Sequence, residues 1–256
     1  MRTALITGAS RRIGAGIARA LASHGYAVAI HYETSEREAR DLVAEIAAAG
    51  GKGAAVQGDL SDAADTLSLV EKAAAALSAP TCLVNNASTF FYDTATSLSA
   101  DQWQRQFDVN LRAPALLSQA FMRGLPADAN GVIVHLADQK IDAPTPDFFS
   151  YTLTKSAIAV MTRLHAIAFA PRVRVCAVAP GLTLPSGGQS KHRFDAVHDT
   201  TILERGNTPA DIAEAVCYLV GAEAVTGQVL YVDGGERLGR QHDPQQFVLP
   251  PSEAKR

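Results

Sequence analysis

Tyr151 and Lys155 stand four residues apart in a stretch of helical pattern, so their side chains share one face. A phenol normally ionises at about pH 10. A neighbouring ammonium stabilises the phenolate and lowers that value, making the phenol a proton donor and acceptor near neutrality. Thirteen residues before Tyr151, Asp138 follows the apolar run Val132 to Leu136. The end of such a strand faces the crevice in which open α/β sheets take ligands. An Asp there is also a common turn former, and alone it reads more simply as one. Asn110, in Asp108-Val109-Asn110, is either a mid-helix surface amide or one that holds a water for proton relay. The chemistry within reach of these residue types is proton transfer.

A second set lies near the N-terminus. Thr7-Gly8-Ala9-Ser10-Arg11-Arg12-Ile13-Gly14 follows an apolar run and opens a helical pattern. Glycine lets the backbone turn tightly and approach a pyrophosphate, and the helix start adds free N–H groups and a positive dipole end. Tight strand-to-helix turns are common, so the position after the first strand carries the signal. Glu33 follows Gly14 by 19 residues, at the end of the second strand. An acid at that spacing binds the ribose 2′-hydroxyl of NAD(H), or it is a solvated residue opening a helix. Arg11 points the other way, because a guanidinium there favours a 2′-phosphate, with Ser35 as a further hydrogen-bond donor. NADP(H) is the favoured cofactor and NAD(H) stays open.

The elements that must position these residues alternate along the chain. Candidate strands are Ala4 to Thr7, Ala27 to Tyr32, Gly53 to Gln57, Cys82 to Asn85, Val132 to Leu136, Val173 to Ala177 and Val229 to Val232. They are continuously apolar, as strands buried on both faces of a parallel sheet are. Helical patterns cover Ile13 to His24, Ser35 to Ala49, Ala63 to Leu77, Ala100 to Arg123, Ser150 to Ala170 and Pro209 to Val220, with Ser99 and Thr208 as caps. This predicts a single-domain, Rossmann-type doubly wound α/β fold: a seven-stranded parallel sheet flanked by helices. The domain spans residues 1–239 and residues 240–256 form a C-terminal extension. The stretch Leu182 to Leu203 reads as an irregular loop of the functional kind, with His192 and His198 as loop residues and not ligands. Trp103 reads as core or interface.

Composition narrows the class. The chain has 256 residues, 47% apolar and 19% charged, with a net charge of −3. That charge argues against a nucleic-acid binder held by bulk electrostatics. Cys82, Cys176 and Cys217 are isolated, which suggests neither a disulfide framework nor a metal site. No apolar run approaches membrane-spanning length, and the N-terminal stretch reads as a strand and loop, not a signal peptide. A cytoplasmic protein acting on a small molecule is expected.

Taken together, Thr7 to Gly14, Gly58-Asp59-Leu60, Asn85-Asn86-Ala87, Asn110, Tyr151-x-x-x-Lys155, Ala179-Pro180-Gly181 and Val232-Asp233-Gly234-Gly235 resemble the short-chain dehydrogenase/reductase family. The resemblance implies that Asp59, with Leu60, contacts the adenine. Asn86 and Ala87 would line the cofactor, Lys155 would hold the nicotinamide ribose, and Pro180 and Gly181 would lie near the nicotinamide. Three departures resemble the pteridine reductase branch. Arg12 stands where most of the family has Gly or Ala, Asp138 where most has Ser, and Ser88 where most has Gly. His31-Tyr32 and Phe90 fit the same branch, although Glu33-Thr34 replaces the basic residues found there in some members. The branch implies a flat pterin stacked on Phe90, with Arg12 and Ser88 contacting phosphate and substrate. Asp138, Tyr151 and Lys155 would complete the reduction, and Leu182 would open a loop lining the substrate. The family also implies a homotetramer. A reductase of an ordinary ketone or alcohol and a low-turnover nucleotide-binding protein are the competing readings.

Overall fold

A computed structural model describes residues 2–185, 194, 198 and 201–239. The seven apolar runs become seven strands: β1 (Arg2–Ile6), β2 (Tyr26–Tyr32), β3 (Lys52–Gln57), β4 (Cys82–Asn85), β5 (Gly131–Leu136), β6 (Val173–Pro180) and β7 (Val229–Val232). All neighbouring pairs are parallel, in the order β3-β2-β1-β4-β5-β6-β7. The order reverses between β1 and β4, and a doubly wound sheet takes its ligand at the carboxyl ends beside such a switch.

The helices are α1 (Arg12–Ser23), α2 (Glu36–Ala48), α3 (Ala63–Ala76), α4 (Ala100–Phe107), α5 (Ala113–Gly124), α6 (Phe149–Phe169), α7 (Pro209–Gly221) and the short α8 (Glu236–Gly239). Successive strand residues point to opposite faces, and both faces are covered. Ala4, Ile6, Val28 and Ile30 pack with α1, α2 and α7 on one side. Leu5, Ala29, Leu83 and Ile133 pack with α3, α5 and the end of α6 on the other. Among the described residues, no helix is long and apolar enough to cross a membrane.

Three sequence expectations need correction. The pattern from Ala100 to Arg123 is not one helix, because a π-helical turn at Asp108–Arg112 separates α4 from α5. The sixth strand runs to Pro180, where pairing with Val232 of β7 continues beyond Ala177. Ser99 makes no side-chain cap bond, whereas Thr208 and Asp211 form a complete capping box. Of the loop read from Leu182 to Leu203, residues 186–193 (with His192), 195–197, 199 and 200 lie outside the described residues, as does the tail 240–256. His198 hydrogen-bonds the Asn207 carbonyl through Nε2 at 2.9 Å and stacks on Phe194.

The two caps should separate in a denaturation experiment. Thr208→Ala is expected to destabilise the chain by about 1 kcal/mol in urea unfolding, the usual cost of losing a side-chain cap. Ser99→Ala should leave the midpoint unchanged, since no cap bond is lost.

Candidate active site

A cleft of about 1000 Å³ opens at the carboxyl edge of the sheet. It is lined by Gly8, Ser10, Arg11, Arg12, Ile13 and Gly14 after β1, by His31, Tyr32, Glu33 and Ser35 after β2, and by Asp59 and Leu60 after β3. Asn86, Ala87, Ser88 and Phe90 line it after β4, Asp138 after β5, Tyr151 and Lys155 from α6, and Pro180, Gly181 and Leu182 after β6. Asn110 does not line it, and neither does Trp103, which stacks on Phe107.

The turn after β1 fits an anionic phosphate group. Gly8 has φ +59, and a Cβ there would come within 2.9 Å of the Ala87 backbone. A Cβ on Gly14 would meet the Gly8 carbonyl at 2.5 Å and Asn86 Nδ2 at 2.6 Å. Helix α1 then starts with no side-chain cap bond and no acid in its first turn. Its first N–H groups are therefore available to an anion. Arg12 adopts φ 56, a left-handed conformation that glycine tolerates better, and donates to the Pro185 carbonyl at 2.9 Å.

His31 holds this turn from beneath. The Gly8 N–H donates to Nδ1 at 3.0 Å, and Nε2 bonds the Gly58 carbonyl at 3.0 Å. That pattern requires the neutral ring with the proton on Nε2. Burial agrees, pushing the imidazole down to about 4. Both ring nitrogens are thus engaged within the protein, although the residue reaches the cleft wall. Asn110 is similarly committed. It is buried on the π turn, accepts from Thr89 N–H at 2.8 Å and Ser88 Oγ at 3.2 Å, and donates to the Thr89 carbonyl at 2.9 Å.

At the other end of the cleft, Tyr151 Oη donates to Asp138 Oδ2 at 2.8 Å. Asp138 Oδ1 accepts the Lys140 N–H at 2.9 Å and caps the 3-10 turn Gln139–Ile141. One oxygen makes the turn and the other accepts from the phenol. Lys155 Nζ donates to the Leu136 carbonyl at 2.7 Å, and burial lowers its ammonium to about 8. The net shift at Tyr151 runs opposite to the one expected from the Tyr-Lys spacing, and Lys155 is not its cause. Burial first, and then the negative charge and hydrogen bond of Asp138, push the phenol well above its ordinary value. The arrangement holds a proton at Tyr151 Oη. Beside it, the Phe90 ring meets Tyr151 edge-on at 4.6 Å and stacks on Phe148 at 4.1 Å.

Sequence reasoning missed the residues that anchor this end. Asp93 is buried; its carboxylate accepts the Ser150 N–H at 3.1 Å and the Ser150 hydroxyl. Gln106 Nε2 donates in turn to Ser150 Oγ. The bond to Ser150 crosses 57 residues, and the only local signal was an acid inside the aromatic run Phe90-Phe91-Tyr92-Asp93. Arg105, on α4, reaches Glu33 at 3.1 Å, and nothing in its own helix marks that contact.

A family model described as enoyl-(acyl carrier protein) reductase matches residues 8–236. The chain is similar to the FolM alternative dihydrofolate reductase 1 of Brucella canis, solved in complex with NADP. The two share 38% identity at a TM-score of 0.88, over 94% of this chain and 96% of that one. It is also similar to a short-chain dehydrogenase/reductase structure from Serratia marcescens, at 31% identity and TM-score 0.86 over 92% and 98% of the two chains. A 3beta-hydroxysteroid dehydrogenase 1 of Eggerthella lenta is 33% identical over 93% of this chain and 94% of its own length.

Asp138→Asn removes the charge that faces the phenol, so Tyr151 is expected to ionise at lower pH. The tyrosinate absorbance difference between Asp138→Asn and Asp138→Asn/Tyr151→Phe reports that midpoint. It should lie below the corresponding difference for Tyr151→Phe alone, and equal midpoints would mean that the carboxylate does not control the phenol.

Proposed function

The chain belongs to the short-chain dehydrogenase/reductase family, and from that premise we propose that it is an NADP(H)-dependent reductase of dihydropterins with Tyr151 as proton donor. The observation that carries this reading is the aromatic wall of Phe90 set directly against the Tyr151–Asp138 hydrogen bond. A flat heteroaromatic substrate stacks on such a ring, and its edge then meets a proton donor. The similarity to an alternative dihydrofolate reductase supports the same substrate class.

Gly8, Ser10, Ile13 and Gly14 would hold the pyrophosphate at the start of α1, Arg11 with Ser35 a 2′-phosphate, Asp59 with Leu60 the adenine, and Asn86, Ala87, Pro180 and Gly181 the nicotinamide half. NADPH supplies a hydride when bound. Arg12, Ser88, Phe90 and Leu182 would orient the substrate. Tyr151 gives its proton to the substrate nitrogen as negative charge develops there. A phenol held above its usual range is still a sufficient acid toward so basic an atom. Asp138 keeps the donor protonated and aimed between turnovers. Lys155, with an ammonium lowered to about 8, stands ready to hold the ribose and to stabilise the phenolate once the proton has left. Residues 1–239 act as one catalytic unit in this reading, with 240–256 an extension.

A reductase of ketones is the second reading, favoured by the steroid dehydrogenase relative. Turnover of dihydrobiopterin, dihydromonapterin and dihydrofolate, each with NADPH and NADH, separates the two. Activity is expected on at least one pterin, and activity on ketones alone would overturn the pterin assignment. Tyr151→Phe should lower kcat at least about 100-fold, as loss of a general acid does, while NADPH binding is retained. Phe90→Ala should impair pterin turnover strongly and ketone turnover little.

A homotetramer is proposed as well. Leu153, Val160, Leu164 and Ile167 form a stripe along α6 at helical spacing, and Leu164 and Ile167 are 59% and 78% exposed. A contiguous exposed apolar stripe marks a protein interface. Light scattering should give four times the 27.0 kDa chain mass, and Leu164→Glu/Ile167→Glu should give a smaller species.

A further inference from the structure

The end of β2 puts a carboxylate on the wrong side of the cofactor reading. Glu33 lines the cleft beside Arg11 and Ser35. A free carboxylate at this position accepts from a ribose 2′-hydroxyl and repels a 2′-phosphate. Glu33 is not free. Arg105 Nη2 donates to its Oε1 at 3.1 Å, joining residues 72 apart in sequence. Gln102, one turn earlier on α4, also lines the cleft, so this face of the helix forms part of the wall. Arg105 acts on the second acid at this end too. The Ser61 hydroxyl and N–H hold the Asp59 carboxyl below its ordinary range, and the Arg105 charge adds to that. One guanidinium therefore serves both carboxylates of the adenosine end.

We infer that Arg105 sets the cofactor preference: it occupies Glu33 and converts a carboxylate that would select NAD(H) into half of a neutral pair, leaving Arg11 to meet a 2′-phosphate. The inference rests on the NADP(H) reading above and deepens it. With Arg105 in place, the charges of Arg11, Glu33 and Arg105 sum to one positive charge; without it they cancel. Arg105 touches Glu33 and not the reacting atoms, so it is a specificity residue acting through its partner. Both side chains are about half exposed, 44% and 47%. Such a pair contributes little to folding, so its loss should read out on the ligand and not on the fold.

The test is direct binding of NADPH and NADH, followed by the fluorescence of the bound reduced cofactor, for the wild type and four variants of unchanged circular dichroism. Arg105→Gln should weaken NADPH by about tenfold, the scale of one uncompensated charge facing a phosphate, and leave NADH unchanged or tighter. Arg105→Lys should keep the NADPH preference. Glu33→Gln should bind NADPH at least as tightly as the wild type, and Arg105→Gln/Glu33→Gln should recover most of what Arg105→Gln loses. If Arg105→Gln keeps the wild-type ratio of the two affinities, or the double variant recovers nothing, the inference is overturned while the NADP(H) reading stands. A wild type that binds NADH as tightly as NADPH overturns the cofactor reading, and the inference with it.

Discussion

A carboxylate buried at the start of α6 is the contact on which the geometry of the cleft turns. Helix α6 begins after Phe148, which sits in the left-handed region and offers no side-chain cap. Its first N–H groups would be unpaired inside the protein, which is costly. Asp93 takes two of them: its backbone carbonyl accepts from Phe149 at 3.2 Å and its side chain from Ser150 at 3.1 Å. The positive end of the helix dipole favours the charge in return. Tyr151 is the next residue and Lys155 lies one turn on, so both inherit their direction from this anchor. The same bonds draw in the segment after β4, which carries Ser88 and Phe90. Tyr151 and the Phe90 ring are placed by one interaction.

The two ends of the cleft solve a similar problem in different ways. Each presents a carboxylate that has to be held in place, Glu33 after β2 and Asp138 after β5. After β2, Arg105 from α4 pairs with Glu33. After β5, Asp138 has no ion pair among the described residues and instead accepts a hydrogen bond from the phenol. Between them, His31 ties the turn after β1 to the ends of β2 and β3 through a ring that burial keeps neutral. A neutral ring leaves the local positive charge to Arg11, Arg12 and the helix terminus.

The strands were legible because parallel strands buried on both faces leave no choice of side chain, and a continuous apolar run is the result. Tyr151, Lys155 and Asp138 were legible as a group because two of them share a helix face and the third ends a strand. What local sequence hid was reach. Asp93 and Ser150 are 57 residues apart, and Glu33 and Arg105 are 72 apart. No pattern within either segment encodes the partner. Electrostatic sense was hidden as well: the Tyr-Lys spacing suggests an acidified phenol, yet the oxygen nearest the phenol belongs to Asp138. Ser99 and Thr208 read alike, but only Thr208 has a carboxylate three residues on that returns the bond. Gln102, the equivalent residue after Ser99, lines the cleft instead.

The π turn between α4 and α5 sets a rotational phase. A turn of this kind accommodates one residue more than an α-helical turn, so α5 is rotated by about 100° relative to an uninterrupted helix. Gln106 before the turn and Leu117 and Phe121 after it are all buried. A single α-helix would have to turn one of these sets away from its partners. The surplus residue is therefore a spacer in angle, not in length: it lets one continuous run serve the Ser150 network at its start and the core beneath β4 and β5 at its end.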